Sequence, residues 1–247
     1  MNSVYVKLIG GLGNQLFQVS NGYGYCRKHN IDNLYLDSST WFGHQGNNGF
    51  TYKDTIFKSF EFGAAITRNI IGIHENNFNY EDFVGDNVCF NGYFQSLKYF
   101  EGYQEDFKDL LILPNVDRSC IKPKNVAFHI RRGDYLQFKN IHYVCDTEYF
   151  NKCFEMFEDY QINVFTDSPE YVLEEFKHQE FNLIQTTSEL NDLTLMSLHD
   201  NMVISNSSFS WWASFLGKKK ERIISPSKWF ADGREATDIF RNEFIRI

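Results

Sequence analysis

Long apolar runs are missing from this chain: no stretch approaches the roughly 20 residues a helix needs to cross a bilayer. The amino-terminal Met1-Asn2-Ser3-Val4-Tyr5-Val6-Lys7-Leu8-Ile9-Gly10 runs into a polar, glycine-rich segment where a secretory signal has its apolar core and cleavage site. Basic blocks are short, none longer than Lys218-Lys219-Lys220, and the formal net charge is −8. Nucleic acid and anionic membrane are therefore poor candidates as principal partners, and an anionic ligand has to be held by a local cluster. Cys26, Cys89, Cys120, Cys145 and Cys153 are odd in number and scattered, without a Cys-x-x-Cys pair. That pattern fits reduced thiols in a cytoplasmic protein better than a disulfide framework or a zinc site. The seven histidines show no ligand spacing, and there is no internal repeat or low-complexity tract. Asn206-Ser207-Ser208 matches a glycosylation sequon, incidental in a chain without a secretory route.

What is present is enough for a sizeable core. Over 247 residues, 43% hydrophobic and 23% charged content is ordinary for a globular protein, as one large domain or two small ones. Aromatic residues reach 17%, which an AT-rich genome explains as readily as a sugar-binding surface. The second half alternates strand and helix: strand-like runs at 126–130, 162–166, 181–185, 202–205 and 222–225, helical patterns at 147–159, 169–178, 189–200 and 208–216. Short helices between strands imply right-handed crossovers and a doubly wound parallel sheet. The first half opens with a strand, Val4 to Ile9, then a glycine turn, a helix from about Gln15 and a second strand at 33–37. Gly22 and Gly24 weaken that helix by roughly 1 kcal/mol each relative to Ala, so close packing or a ligand has to require them. Residues 38–92 read as mostly loops with short elements, 93–113 as helical, and Pro114 to Lys124 as the linker.

Chemistry concentrates at strand ends. Val126-Ala127-Phe128-His129-Ile130 feeds directly into Arg131-Arg132-Gly133-Asp134-Tyr135. Strand alternation puts Val126, Phe128 and Ile130 on one face and Ala127, His129 and Arg131 on the other. A guanidinium is thereby delivered to the carboxyl edge, where open α/β sheets bind ligands, and its planar fork matches phosphate oxygens. For two adjacent arginines alone, a surface ion pair explains the pattern equally well. The embedded Arg-Gly-Asp is set aside as an integrin motif because a strand end is not a protruding loop tip. Gly10-Gly11-Leu12-Gly13-Asn14 between strand and helix suits an anion or a tight structural turn, and it is not a Walker loop because no Gly-Lys-Ser/Thr follows. Asn206-Ser207-Ser208-Phe209-Ser210-Trp211-Trp212 offers a second polar strand end with a helix cap, Trp211 lying toward the cleft edge, and Asp167 a third.

Together, Gly-Gly-Leu-Gly-Asn-Gln-Leu-Phe-Gln (10–18), His-Ile-Arg-Arg-Gly-Asp-Tyr (129–135), Phe-Thr-Asp-Ser (165–168) and Ser-Asn-Ser-Ser-Phe-Ser-Trp-Trp-Ala (205–213) resemble the α-1,2-fucosyltransferase family of inverting glycosyltransferases, of bacterial or viral type. Ile-Ser-Pro-Ser-Lys-Trp-Phe (224–230) follows as the resemblance requires. It implies the GT-B-like fold: two facing Rossmann-like domains with the active site between them. Residues 1–121 would form the acceptor-side domain and 122–247 the GDP-sugar-binding one. The donor would be GDP-β-L-fucose, the acceptor a galactose-terminated glycan or a lipid-linked oligosaccharide. The sequence has no Asp-x-Asp metal–diphosphate handle, so no metal is expected and arginine supplies the positive charge. The enzyme would be cytoplasmic, with peripheral attachment at the inner membrane face as an option.

The resemblance also assigns roles. Arg131 would meet the β-phosphate, with Arg132 assisting it or holding Asp134. Gly11, Gly13, Asn14 and Gln15 would close over the diphosphate. Asn206, Ser207, Ser208, Phe209 and Ser210 would contact phosphate or sugar, and Asp167 the nucleoside. Asp134 and His129 are the two candidates for the acceptor's base, each with a structural alternative: Asp134 pairing with Arg132, His129 contacting the nucleotide. Trp41, Phe42, His44 and Tyr52 form an acceptor wall on one reading and fill a small core on the other. Transfer of another deoxy sugar, or to another position, is the neighbouring alternative, and a catalytically silent nucleotide-sugar-binding protein the more distant one. A sulfotransferase or P-loop kinase is disfavoured by the missing Gly-Lys-Ser/Thr.

Overall fold

The computed structural model describes residues 2–37, 50–64 and 70–247. The chain divides into two compact units, Met1–Pro114 with Glu235–Arg241, and Asn115–Arg234 with Asn242–Ile247.

In the first unit the order is β1 (Ser3–Lys7), α1 (Leu12–His29), β2 (Asn33–Asp37), β3 (Glu61–Phe62), β4 (Ile71–His74), β5 (Asn87–Asn91) and α2 (Gln104–Asp109). The strands form one sheet in the order β3-β2-β1-β5-β4, every adjacent pair parallel. Burial explains the centre: Val4, Val6, Val88 and Phe90 are fully enclosed. Both mid-helix glycines are packing glycines. A Cβ on Gly22 would collide with Val6 of β1, and one on Gly24 with the carbonyl of Tyr99. α1 closes at Asn30, whose left-handed backbone (φ 55°) returns its N–H to Cys26, while Arg27, Lys28 and His29 occupy the negative end of the dipole. The expectation of mostly loops with short elements through 38–92 did not place those elements, β3, β4 and β5, of which β5 lies beside β1 in the sheet. Its apolar run, Val88-Cys89-Phe90, is only three residues long between asparagines. The 93–113 stretch is not one helix but a 3₁₀ turn at Leu97–Phe100 and the six-residue α2, parted by Gly102 at φ +88°.

The second unit continues with β6 (Asn125–Ile130), α3 (Thr147–Met156), β7 (Gln161–Thr166), α4 (Pro169–Glu175), β8 (Asn182–Ile184), α5 (Glu189–Ser197), β9 (Asn201–Val203), α6 (Ser208–Phe215), β10 (Arg222–Ser225) and β11 (Phe244–Arg246). Its parallel sheet runs β11-β10-β9-β6-β7-β8. Val126, Phe128 and Ile130 pack with Phe150, Cys153, Phe154 and Phe157 of the α3 region and Val172 of α4. Asp146 caps α3 by accepting from the Tyr149 N–H, and Ser188 caps α5 by accepting from Asn191. On the opposite face His129 meets Phe209 of α6 (ring centroids 5.6 Å apart), so helices cover both sides as the alternation predicted. Trp211 and Trp212 are both fully enclosed, which moves Trp211 from the expected cleft edge into the core.

Candidate functional site

Strand order locates the site before any side chain does. From β6 the chain winds outward through β7 and β8, then returns to lay β9 on the other side of β6. The break between β6 and β9 is the topological switch point, where the strand carboxyl ends part and leave a crevice. Arg131 leaves β6 there, and Ser205-Asn206 leaves β9 beside it.

The two strand ends are stitched together by Ser205. Its fully buried hydroxyl donates to the His129 carbonyl at 2.7 Å and accepts the Arg131 N–H at 3.1 Å. Sequence reasoning quoted Ser205 within a motif without giving it a task; a serine directly after a buried strand was the available signal. From this anchored backbone the Arg131 guanidinium reaches two carboxylates, Asp134 through Nη2 at 2.5 Å and Asp167 through Nη1 at 2.7 Å. Its side chain remains 28% exposed. Asp167 also accepts the Arg132 N–H at 2.9 Å and the Ser168 hydroxyl at 3.2 Å. A Cβ on Gly133 would collide with the Asp167 carboxylate, so the glycine is what lets the arginine turn close over it. The pairing expected of Arg132 is thus made by Arg131. Arg132 instead lays its guanidinium 3.7 Å from the Tyr171 ring centroid.

His129 is buried between Phe209 and the strand end, with Nδ1 lacking a hydrogen-bond partner among the described residues. Burial first, and then the Arg131 charge, lower its pKa from the usual 6.5 to about 4, so the imidazole is neutral at physiological pH. Tyr135 donates to the Asn206 carbonyl at 3.2 Å and stacks on His142 at 4.3 Å; burial pushes its phenol well up.

The serine-rich strand end is more structural than the sequence suggested. Asn206 is 2% exposed: its amide donates to the Trp229 carbonyl at 2.8 Å and its Oδ1 accepts the Cys145 thiol at 3.7 Å. Ser210 is fully buried and donates to the carbonyls of Ser205 and Ser207. Ser207 is the N-cap residue of α6 without a side-chain cap bond, and Ser208 and Phe209 are the partly exposed members of the motif.

In the first unit the same logic holds at the β1/β5 break. Gly10 adopts φ +76°, where a Cβ would stand 2.7 Å from Asn14 Nδ2. Gly11 is the N-cap of α1, and Gly13 is buried in its first turn. Gln18 clamps Ile9 through both its amide atoms at 3.0 and 3.1 Å. Gln15 donates to the Gly10 carbonyl at 2.9 Å, and its buried Oε1 has no partner among the described residues. Asn14 Oδ1 accepts from Gln95 Nε2 at 2.8 Å, drawing in the segment after β5. Gln95 was not singled out from sequence; it follows an apolar strand too short to be recognised. Trp41, Phe42 and His44 lie outside the described residues, while Tyr52 is 4% exposed and packs edge-on to Phe57, a core residue rather than a wall. Among the described residues no group of three or more His, Cys, Asp or Glu is arranged to hold a metal ion, and no helix is long and apolar enough to cross a membrane.

Two parallel α/β units, each gathering polar turns at its switch point, define the class: an α/β protein of the kind that binds at strand carboxyl ends. The model of glycosyl transferase family 11 matches residues 53–247. The chain belongs to that family and is a glycosyltransferase. It is 27% identical to the O-antigen biosynthesis glycosyltransferase WbnK of Escherichia coli, over 99% of this chain and all of that protein. An α-1,2-colitosyltransferase of E. coli is 26% identical over 93% of each chain. In fold the chain is similar to the fucosyltransferase NodZ from Bradyrhizobium, with a TM-score of 0.52 at 11% identity, covering 90% of this chain and 94% of that one. NodZ described as an α-1,6-fucosyltransferase and co-crystallised with GDP gives a TM-score of 0.51 at 12% identity, over 90% and 93%. The expected α/β fold with two parallel sheets is borne out.

Proposed function

We propose that this chain moves a 6-deoxyhexose, L-fucose or its 3-deoxy relative colitose, from a GDP-activated donor to O2 of a terminal galactoside, with inversion and without a metal. The observation that carries this is the partly exposed Arg131 guanidinium, oriented by two carboxylates on a backbone that Ser205 anchors at the β6/β9 switch point. The leaving group is a diphosphate whose charge grows as the anomeric bond breaks. An arginine preset by its neighbours stabilises that charge more in the transition state than in the ground state. The α-1,2 linkage and the choice between fucose and colitose follow the colitosyltransferase relative and the fucosyltransferase-like motifs. A galactose-terminated glycan, free or lipid-linked, is the acceptor class this reading implies.

Phosphate oxygens and carboxylates compete for one guanidinium. When the β-phosphate takes Arg131, the Arg131–Asp134 contact opens at a partly exposed carboxylate. That makes Asp134, rather than the neutral and enclosed His129, the better base for the acceptor hydroxyl. In the first unit the turn of Gly11, Gly13, Asn14 and Gln15 offers polar contact to an anionic group; in the second unit Ser207, Ser208 and Phe209 line the sugar, and Asn206 and Ser210 hold that strand end in shape. The test is GDP release from GDP-fucose and from GDP-colitose, with and without lactose, in EDTA. Acceptor-stimulated release that survives EDTA supports the reading. Its abolition by EDTA overturns metal independence, and absence of release with either donor overturns the donor class.

A further inference from the structure

We propose that Glu75 is a positioning residue for the glycine turn, acting through the 92–95 segment and Gln95. This rests on the reading that Asn14 and its neighbours contact the donor. Glu75 directly follows β4, and its carboxylate accepts two successive backbone N–H groups, Tyr93 at 2.8 Å through Oε2 and Phe94 at 2.8 Å through Oε1. Consecutive N–H groups turned toward one anion form a concavity that fixes the backbone carrying them. That backbone needs fixing: Phe94 has φ +52°, the left-handed region that a bulky side chain rarely adopts. Gly92 permits the approach, since a Cβ there would collide with the Glu75 side chain. Phe94 is 1% exposed, locked edge-on against Phe90 and Tyr99. The next residue, Gln95, is thereby aimed at Asn14, which its amide meets at 2.8 Å.

A carboxylate at the end of β4 therefore sets the residue that braces the turn after β1, through β5 between them in the sheet order. Gln95 is 7% exposed, so little else competes for its amide. Glu75→Gln keeps the shape but replaces one acceptor oxygen with an NH₂ that opposes a backbone N–H. Gln95→Met keeps the length and removes the amide.

The experiment is a double-mutant cycle on GDP affinity by calorimetric titration, with wild type, Glu75→Gln, Gln95→Met and the double variant, each checked for cooperative melting. The expected result is a roughly tenfold weaker Kd in each single variant and no further loss in the double, because both act on one link. Losses that multiply, or a Glu75→Gln protein that binds GDP as wild type does, overturn the inference. Should Glu75→Gln fail to fold, Gln95→Met decides alone: unchanged affinity overturns the proposal, since its last link is then idle. A wild type that does not bind GDP in the same titration instead overturns the donor reading on which this one stands.

Discussion

Arg131 has two anionic partners before any substrate arrives, and this makes its variants distinguishable. Charge-assisted hydrogen bonds contribute roughly 1.5–3 kcal/mol each. Arg131→Ala should therefore lower kcat/KM by about one to two decades per lost contact, with part of the loss in kcat because the charge develops in the transition state. Arg131→Lys keeps the charge but not the fork that spans Asp134 and Asp167, and recovers only part of the rate. Asp134→Asn is expected to behave differently. Removing a competitor for the guanidinium leaves GDP binding equal or tighter, while the lost base depresses kcat by about 10²-fold or more. A GDP affinity that falls in parallel with kcat would contradict that assignment. Gly133→Ala places a methyl against the Asp167 carboxylate and should cost activity without disturbing the melting transition, which activity and calorimetry on one sample would show.

At the scale of elements, packing is tight where helices meet the rest of the fold. Gly24→Ala pushes a methyl into the backbone at Tyr99 and Phe100, and urea unfolding should show a loss of about 1–3 kcal/mol. His199, at the end of α5, is fully buried, with Nδ1 2.9 Å from the Leu195 carbonyl and Nε2 2.8 Å from Asn163. Its pKa falls from the usual 6.5 to about 4, mainly through burial. The unfolded chain therefore takes up a proton in a range where the folded one does not. Stability is complete above pH 6.5 and is lost at about 1.4 kcal/mol per unit as pH falls toward 4. In His199→Gln that slope should shrink in urea titrations at stepped pH; an unchanged slope would show that other groups carry it. Three helices of the second unit were legible because a cap or a proline bounds them, at Asp146, Pro169 and Ser188, whereas the three-residue β11 was not read from the sequence. β5 and the 92–95 segment were not, because three apolar residues among asparagines give no period, and a left-handed Phe94 has no sequence signature. Of the site, the arginines and glycines showed themselves by type. Which carboxylate each arginine holds, and that Asn206 turns inward, depend on tertiary geometry that spacing does not carry.

On the scale of the whole molecule, each unit places its chemistry by the same rule: a central strand with one neighbour wound outward and another returned beside it. The glycine turn after β1 meets Gln95 from after β5, and Arg131 after β6 meets Ser205 from after β9. A family 11 glycosyltransferase built this way is expected to depend on the donor's diphosphate. The discriminating measurement compares GDP and GMP binding to wild type and Arg131→Ala by calorimetric titration. If Arg131 meets the β-phosphate, the substitution weakens GDP by about one to two decades and leaves GMP, which lacks that group, nearly unchanged. Equal losses for both nucleotides, or none for either, would contradict the account.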